Sequence, residues 1–335
     1  MRYVSLFSGI EAATVAWEPL DWEPICFAEL DEFPSAVLAE RFPNVPNVGD
    51  VTKINWSEYA GSVDLVVGGS PCQSFSIAGK REGLQGESKL MFEYIRAVCE
   101  IRPQWFVWEN VPGALSSEGG KAFRQLLSEM DDLGYGLAWR VLDAQFFGVA
   151  QRRRRVFLVG HLGDRRAADV LFEPKSLRWD SPTNRAKREA LTGGASGGAR
   201  TLLVQCGCEG GGKGALIQDD VSATLATSNN QTLFQPVCMA DDNAKAAIDR
   251  DMCGTLKVAG SAPIIASDYI VRRLTPVECE RLQGFPDGWT DIVWKGKPAP
   301  DSKRYKALGN SMAVPVIRWI GERIERADKE VQDVD

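Results

Sequence analysis

A thiol, a carboxylate and a pair of guanidinium groups each stand beside an apolar run that predicts a buried strand. They are Cys72 after residues 63–67, Glu109 after residues 104–108, and Arg153 and Arg155 before residues 156–160. Cys72 follows Pro71, and because proline fixes one backbone dihedral, the chain sets the direction of the thiol. A free cysteine is more often a small buried apolar residue, so Cys72 alone does not establish a nucleophile. Open α/β sheets bind ligands at the carboxyl ends of their strands, so the three segments together predict one reactive edge.

The surrounding segments alternate between strand and helix patterns. Predicted strands cover residues 3–7, 24–28, 63–67, 104–108 and 137–142, with a further hairpin strand at 156–160. Amphipathic helices are predicted over 90–100 and 121–133, and a last helix over 311–329 with Asn310 and Ser311 as its cap. This alternation favours an α/β fold with a parallel, doubly wound sheet.

Residues near the N-terminus indicate a nucleotide-like pocket. The segment Leu-Phe-Ser-Gly at 6–9 ends the first strand and opens a helix, whose N-terminus attracts the negative end of a ligand. Glu29 ends the second strand, where a carboxylate accepts hydrogen bonds from ribose hydroxyls. Asp50 follows Gly49, where a further strand is expected to end, and is a candidate partner for an adenine amino group. A glycine turn alone is equally compatible with a dinucleotide.

Taken in order, these segments resemble the DNA cytosine-5 methyltransferase family of bacteria and phages. The motifs that carry the resemblance are Pro-Cys-Gln at 71–73, Glu-Asn-Val at 109–111, Gln-x-Arg-x-Arg at 151–155, Arg-Leu-Gln-Gly-Phe-Pro at 281–286 and Leu-Gly-Asn-Ser at 308–311. The resemblance covers nearly the whole chain except about residues 175–270. It implies a Rossmann-like, S-adenosylmethionine-dependent methyltransferase domain with a second, smaller strand-and-loop target-recognition domain.

The resemblance also implies a role for each matching residue. Cys72 would attack cytosine C6, and Glu109 would donate to ring N3. Arg155 would contact the ring carbonyl oxygen, and Arg153 would position the glutamate. The matching cofactor-binding positions are Phe7, Ser8, Gly9, Glu29, Asp50, Pro71, Leu90, Asn310 and Ser311, and the DNA-binding ones are Gln73, Ser76, Arg152 and Arg154. A base inside a duplex must be flipped out to reach such a pocket.

One position departs from the family pattern. The family usually has a second glycine where this chain has Glu11. An acidic group at this place would repel the carboxylate of the cofactor if it faced inward. We therefore expect Glu11 to point away from the cofactor.

Composition and charge divide the chain into two predicted domains. The catalytic and cofactor-binding domain is predicted to cover residues 1–174 and 299–335, with the C-terminal helix packed back on it, and the target-recognition domain residues 175–298. Residues 1–150 carry 11 basic and 21 acidic side chains, whereas residues 151–275 carry 18 basic and 13 acidic ones. Phosphate contact needs a local basic surface, so this asymmetry predicts a DNA groove along the second half. Side chains that read base edges are expected within residues 205–266.

The composition argues against several other kinds of protein. No run of about 18 apolar residues is present, so we expect no membrane span. The eight cysteines have no framework spacing and the single histidine lies elsewhere, which predicts reduced thiols, a cytoplasmic protein and no metal site. We expect S-adenosylmethionine as cofactor, double-stranded DNA as partner and a monomer; a cognate restriction endonuclease is possible in principle but has no signal in the sequence.

Three alternatives stay open. The same motifs would serve an RNA (tRNA) cytosine-5 methyltransferase, although the glycine-rich middle region resembles a bacterial or phage recognition insert. A non-catalytic DNA-binding relative would not need the intact cysteine, glutamate and arginines. A nicotinamide oxidoreductase would leave the segments around Cys72 and Glu109 unexplained.

Overall fold

A computed structural model describes residues 1–71, 89–172, 200–204, 215–219, 231–239, 248–250 and 264–332. The predicted site residues Cys72, Gln73 and Ser76 lie outside these ranges. The strands are β1 (Arg2–Leu6), β2 (Glu23–Ala28), β3 (Leu65–Gly68), β4 (Trp105–Asn110), β5 (Tyr135–Asp143), β6 (Arg154–Leu162), β7 (Arg200–Val204), β8 (Ala215–Asp219), β9 (Gln231–Met239), β10 (Ile248–Arg250), β11 (Ile264–Arg273), β12 (Val293–Trp294) and β13 (Lys297–Pro298). The helices are α1 (Ala12–Trp17), α2 (Glu32–Arg41), α3 (Lys89–Ile101), α4 (Lys121–Asp132), α5 (Ala167–Leu171), α6 (Pro276–Gln283), α7 (Asp301–Asn310) and α8 (Val314–Gln332). Among the described residues, no helix is both long enough and apolar enough for a membrane span.

Six strands form the central sheet in the order β2-β1-β3-β4-β6-β5. Strands β1 to β4 are parallel, whereas β6 runs antiparallel to both β4 and β5. The chain leaves β2 on one side of β1 and re-enters the sheet as β3 on the other side. The carboxyl ends of β1 and β3 therefore flank a switch point, where sheets of this kind bind ligands. The predicted α/β fold with a parallel-dominated sheet is confirmed.

Helices cover both faces of this sheet. On one face, α1, α5 and α8 pack over residues such as Tyr3 and Val107, and the Trp17 indole of α1 donates to the Ile317 carbonyl of α8 at 3.0 Å. On the other face, α3 and α4 pack over Phe106 and its neighbours. The C-terminal helix thus returns to the core that contains the first strand.

Strand β4 lies in the middle of the sheet, and all six of its residues are buried. Its side chains alternate between the two faces, as the pleat requires. Trp105 and Val107 belong to the core on one face, and Phe106 and Trp108 to the core on the other. Continuing this alternation places the Glu109 side chain on the first face and the next residue on the second.

A second, antiparallel sheet is formed by β7 to β11, with β9 at its centre. These short strands lie within the predicted recognition domain. Residues that follow β11 pack elsewhere: Leu274, Leu282, Phe285 and Ile292 are part of the core beside α1 and α8. Residues of the segment 274–298 therefore pack on the core of the catalytic sheet. The predicted boundary at residue 298 assigns this segment to the recognition domain.

Two local predictions are corrected by the structure. No strand ends at Asp50, because the chain before it forms only an isolated bridge between Asn47 and Phe27. Asn310 and Ser311 do not cap the last helix. Asn310 is the final residue of α7, and α8 begins only at Val314, which places Pro315 in its first turn, where a missing N–H costs little.

Candidate active site

Two glycines allow the end of β3 to approach its two neighbouring strands, Gly68 toward β1 and Gly69 toward β4. A Cβ atom added to Gly68 would lie 2.6 Å from the Leu6 carbonyl oxygen. One added to Gly69 would lie 2.9 Å from Glu109 Oε2 and 3.2 Å from the Glu109 carbonyl oxygen. Any side chain at these positions would force the strands apart. Gly69 therefore allows the close approach between Glu109 and the segment that leads to Cys72.

Glu109 and Arg155 form an ion pair at this edge of the sheet. Arg155 Nε lies 3.2 Å from Glu109 Oε1, and Glu109 is only 8% exposed. In the antiparallel register of β4 and β6, Glu109 faces Phe157, which is two residues from Arg155. Both side chains consequently project from the same face of the sheet. The pairing holds the carboxylate beside the chain that enters the nucleophile segment.

Arg153 does not make the contact that was predicted for it. Its Nη2 atom donates to the carbonyl oxygens of Gly309 at 3.1 Å and Ser311 at 2.7 Å. Its Nε and Nη1 atoms are buried without a hydrogen-bond partner in the described part of the chain. The residue that touches Glu109 is Arg155, because Arg153 lies deeper, where the C-terminal segment covers it. Burial, followed by the nearby Arg155 charge, lowers the pKa of Arg153 well below its usual value.

Ser70 anchors the chain just before Pro71 and Cys72. The Trp108 indole donates to Ser70 Oγ at 3.1 Å, and Asn110 Nδ2 donates to the Ser70 carbonyl oxygen at 3.3 Å. Trp108 and Asn110 are successive residues on the same face of β4. Hydrogen bonds from β4 therefore fix both the side chain and the backbone of Ser70, the residue directly before the exposed Pro71.

The arginines of the 151–155 segment alternate in burial. Arg153 is buried and Arg155 partly buried, whereas Arg152 and Arg154 are exposed. Two of the four guanidinium groups thus face the interior of the site, and two face the surface where a phosphate backbone would lie. The predicted division between catalytic and DNA-contacting arginines stays a prediction, and this alternation is compatible with it.

Hydrogen bonds hold the turn after β1 in place. Ser8 Oγ accepts from the Ala28 backbone N–H at 3.1 Å. Glu29 Oε2 accepts from the Gly9 N–H at 2.8 Å, and Glu29 Oε1 accepts from the Asp31 N–H at 2.7 Å. Each carboxylate oxygen has capacity for a further hydrogen bond, so Glu29 can shape the turn and still accept from a ligand hydroxyl.

The backbone around this turn is open on one side. Gly9 and Gly49 have positive φ values of 57° and 78°, and a Cβ atom added to either would meet no atom within 4 Å. Phe7 also has a left-handed backbone, with φ of 54°. Leu30, directly after Glu29, is 72% exposed. A carboxylate that can accept further hydrogen bonds, an open backbone and an exposed apolar side chain fit a nucleoside such as that of S-adenosylmethionine.

Asp50 is engaged in a local cap. Its Oδ1 accepts from the Thr52 N–H at 3.0 Å and from Thr52 Oγ1 at 2.8 Å, and Lys53 Nζ lies 3.4 Å from Oδ2. The Thr52 hydrogen bonds, followed by Lys53, lower the pKa of Asp50. Leu90, half-buried in the first turn of α3, is the other predicted adenosine contact.

Glu11 turns back onto its own helix. It has a φ of 63°, a conformation that favours glycine, and its Oε1 accepts from the Thr14 N–H at 3.0 Å and Thr14 Oγ1 at 3.1 Å. The side chain is 1% exposed, and its Oε2 has no hydrogen-bond partner among the described residues. Burial raises the pKa of Glu11 to about 7, against the hydrogen bonds from Ser5 and Thr14. The carboxyl group thus caps α1 in place of the family's glycine.

The C-terminal segment closes the site from behind through contacts that the sequence analysis did not find. Gln283 Nε2 donates to the Leu308 carbonyl at 2.5 Å and to the Ser311 carbonyl at 3.3 Å. Ser311 is buried and Asn310 is exposed. The Trp289 indole donates to the Ile10 carbonyl at 2.9 Å. The sequence signals for these contacts were the Arg-Leu-Gln-Gly-Phe-Pro motif at 281–286 and the Leu-Gly-Asn-Ser motif at 308–311, and neither motif says what its residues touch.

A family comparison decides what kind of site this is. The model of the C-5 cytosine-specific DNA methylase family matches residues 1–196 and 217–326. The chain belongs to this family. It is accordingly a DNA cytosine methyltransferase, and the predicted resemblance is confirmed.

Individual relatives of this methylase come from phages and bacteria. It is 31% identical to the type II methyltransferase M2.BsuMI of Bacillus subtilis, with 99% of this chain and 77% of the relative aligned. It is 33% identical to a protein of Escherichia phage P1 named DNA N-6-adenine-methyltransferase, with 97% of this chain aligned. The chain spans 61% of the length of that phage protein.

Solved structures share the fold of the methylase at lower identity. The Dnmt2 methyltransferase of S. pombe superposes with a TM-score of 0.64 at 17% identity, covering 97% of this chain and 99% of that one. A putative DNA modification methyltransferase encoded within a prophage of E. coli superposes with a TM-score of 0.61 at 20% identity, covering 98% and 99%. Within the described ranges, no cluster of His, Cys, Asp or Glu is arranged to hold a metal ion.

Proposed function

We propose that this methylase transfers a methyl group from S-adenosylmethionine to C5 of a flipped-out cytosine in duplex DNA, through a covalent bond between Cys72 and C6. The observation that carries the proposal is the convergence of β3 and β4. Gly69 lies against the Glu109 carboxylate, and Cys72 follows three residues later. A thiol and a carboxylate are thereby delivered to one edge of one sheet.

Cys72 acts as the nucleophile in this proposal. Cytosine C5 is a poor nucleophile, and addition of the thiolate to C6 converts the C5–C6 double bond into an enamine whose C5 can take a methyl group. The C5 proton then leaves to water or another base, and the thiolate is expelled from C6. Nearby cations favour the thiolate, and Arg155, which pairs with Glu109 at this edge of the sheet, is the proposed one.

Glu109 and Arg155 hold the base and stabilise its charge. A proton on Glu109 can be donated to ring N3 while the Arg155 guanidinium, whose Nε lies 3.2 Å away, offers its remaining N–H groups to the ring carbonyl oxygen. Arg153 acts one step behind them, because its Nη2 ties this face to the carbonyls of Gly309 and Ser311.

The turn after β1 is the proposed cofactor site. When bound there, S-adenosylmethionine supplies an electrophilic methyl group on a sulfonium. Glu29 accepts from the ribose hydroxyls, and the exposed Leu30 packs on the base. Gly9 gives the ligand access to the backbone, and Asp50 and Leu90 complete the adenosine pocket.

Target recognition is assigned to the antiparallel sheet of β7 to β11. The catalytic edge offers the same groups to any cytosine. Discrimination between DNA sequences therefore requires other side chains that contact the edges of the bases in the recognition site. Each good side-chain–base pair contributes roughly 1–3 kcal/mol of discrimination. The basic balance of residues 151–275 supports placing the DNA along this part of the chain.

Trapping with 5-fluorocytosine tests the covalent step. The wild type should form a stable complex with duplex DNA that carries this base at the target, because fluorine cannot leave C5 as a proton does. Cys72→Ser should form no such complex and transfer no methyl group, yet still bind DNA and cofactor. A serine variant that keeps substantial activity would show that another group attacks C6.

A product assay separates the proposal from its alternatives. Labelled cofactor with duplex DNA or tRNA, followed by nucleoside analysis, should give 5-methylcytosine from DNA alone. N6-methyladenine, the product named for the phage P1 relative, or methylated tRNA would contradict the proposal. Bisulfite sequencing of DNA from expressing cells then reports the base and its sequence context together.

A further inference from the structure

The chain that enters the nucleophile segment is held by a pair of side chains from the neighbouring strand. Ser70 is 4% exposed, and its hydroxyl accepts a hydrogen bond from the Trp108 indole at 3.1 Å. Its carbonyl oxygen accepts from Asn110 Nδ2 at 3.3 Å, and the other end of that amide, Asn110 Oδ1, accepts from the Val111 N–H at 2.8 Å. Side chain and backbone of Ser70 are therefore fixed to β4 independently.

This anchoring has a consequence for Cys72 because of the intervening proline. The ring of Pro71 fixes its φ, and the residue before a proline is itself restricted to extended conformations. Once Ser70 is held, the direction of the chain toward Cys72 depends mainly on the ψ angle of Pro71. A shift at Ser70 would therefore also move Pro71, the residue that leads to Cys72.

We propose that Trp108 is a positioning residue for the methyl-transfer reaction, which it serves by binding the Ser70 hydroxyl and so fixing the point from which the chain continues through Pro71 to Cys72. The inference rests on the proposed role of Cys72 as nucleophile. Trp108 itself touches no reacting atom: it is fully buried, and its ring packs against Phe123 with centroids 5.9 Å apart. Its contribution is the single indole hydrogen bond across the two strand ends.

The same strand provides a matched control. Trp105 is also fully buried, and its indole donates to Asp328 Oδ1 at 3.0 Å. This hydrogen bond lies at the amino end of β4, away from Ser70. Trp105→Phe and Trp108→Phe therefore remove equivalent indole hydrogen bonds from opposite ends of one strand.

The experiment compares covalent trapping rates on 5-fluorocytosine DNA, at saturating cofactor and DNA and well below the melting temperature. Trp108→Phe and Ser70→Ala should each slow trapping by about 10- to 100-fold, the loss that a small misplacement of a reacting group causes. KM for the cofactor and Kd for DNA should stay at wild-type values. Trp105→Phe should lower the melting temperature and leave the trapping rate unchanged.

The double variant Ser70→Ala/Trp108→Phe tests whether the two residues act through one contact. Its trapping rate should be no lower than that of the slower single variant, because both changes remove the same hydrogen bond. Fully additive losses, or a Trp108→Phe rate equal to that of Trp105→Phe, would overturn the inference while trapping by the wild type still supports the covalent mechanism. A wild type that traps no DNA would overturn both together.

Discussion

The two edges of the central sheet both carry buried ionisable groups, but among the described residues more of these atoms lack a hydrogen-bond partner at the carboxyl edge than at the amino edge, where His161 Nδ1 is one. At the amino edge, His161 Nδ1 lies 2.7 Å from Asp164 Oδ1, and Asp328 accepts from Trp105. At the carboxyl edge, Glu11 Oε2 and two nitrogens of Arg153 are buried without hydrogen-bond partners among the described residues. A buried polar group without a partner costs about 1–3 kcal/mol.

This difference indicates that the amino edge contributes mainly to stability and the carboxyl edge mainly to the reaction. The amino-edge contacts tie β4 to the C-terminal helix through Asp328, so removing them should cost stability. The carboxyl-edge groups are held in place at a cost to stability, which is the arrangement expected where a ligand completes the site. Substitutions at the carboxyl edge should therefore slow the reaction with little destabilisation, and substitutions at the amino edge should do the reverse.

Among substitutions of the buried groups at the carboxyl edge, Glu109→Gln should give the largest kinetic effect. The amide can still donate to ring N3 but cannot transfer a proton, and proton transfer by a positioned group contributes about 100-fold or more. Single-turnover methyl transfer should fall by at least this factor, while the melting temperature is unchanged or higher. Wild-type turnover would leave Glu109 with only its structural contact to Arg155.

Arg155→Ala and Arg154→Ala test the alternation in burial along this segment. Loss of Arg155 removes the charge next to Glu109 and should slow chemistry by about 100-fold, as for other lost donors to developing charge. Loss of the exposed Arg154 should weaken DNA binding and reduce its salt dependence by about one ion, with little change in the chemical step. If both variants behave alike, the proposed division between base-contacting and phosphate-contacting arginines is wrong.

The strands of the catalytic sheet were predictable because their apolar runs are buried on both faces. Residues 105–108 form an unbroken apolar run, and β4 was found within two residues of the predicted bounds of 104–108. Helix α7 was not predicted, because its sequence is mostly polar and it ends in Gly309 and Asn310. It is held by tertiary contacts such as Arg304 on the buried Glu280 at 3.3 Å, which no local pattern reveals.

The candidate site was predictable in composition but not in its internal contacts. The sequence order placed Glu109, Arg153 and Arg155 at one edge, and the structure brings all three to one face. The motif could not say which arginine touches Glu109. The answer depends on how deeply each arginine is buried. Arg153 is buried because its guanidinium binds the carbonyls of Gly309 and Ser311, which are distant in sequence. The contact of Trp289 with Ile10 escaped prediction for the same reason.

Glu11→Gln should change how stability depends on pH. The pKa of Glu11 is raised by burial from 4.5 to about 7, so the folded state binds this proton more tightly than the unfolded state. Its contribution to stability is complete below the unfolded pKa and is lost as pH rises through the folded pKa. Between about pH 5 and 8 the wild type should lose about 2 to 3 kcal/mol relative to the variant. Urea unfolding at several pH values measures this, and parallel curves would contradict it.

His161→Gln should produce the opposite and smallest pH effect, at the amino edge. Burial, followed by the Arg166 charge, lowers the pKa of His161, against the attraction of Asp164 and Asp328. The unfolded state therefore binds this proton more tightly, and the stability contributed by the neutral ring is present above about pH 6.5 and lost as pH falls. Below that pH, the wild type should lose stability relative to the variant. Methyl transfer at neutral pH should be the same for both proteins, because His161 lies at the opposite end of β4 from Glu109. A variant that unfolds in parallel with the wild type but loses activity would mean that the two edges do not divide stability and catalysis between them.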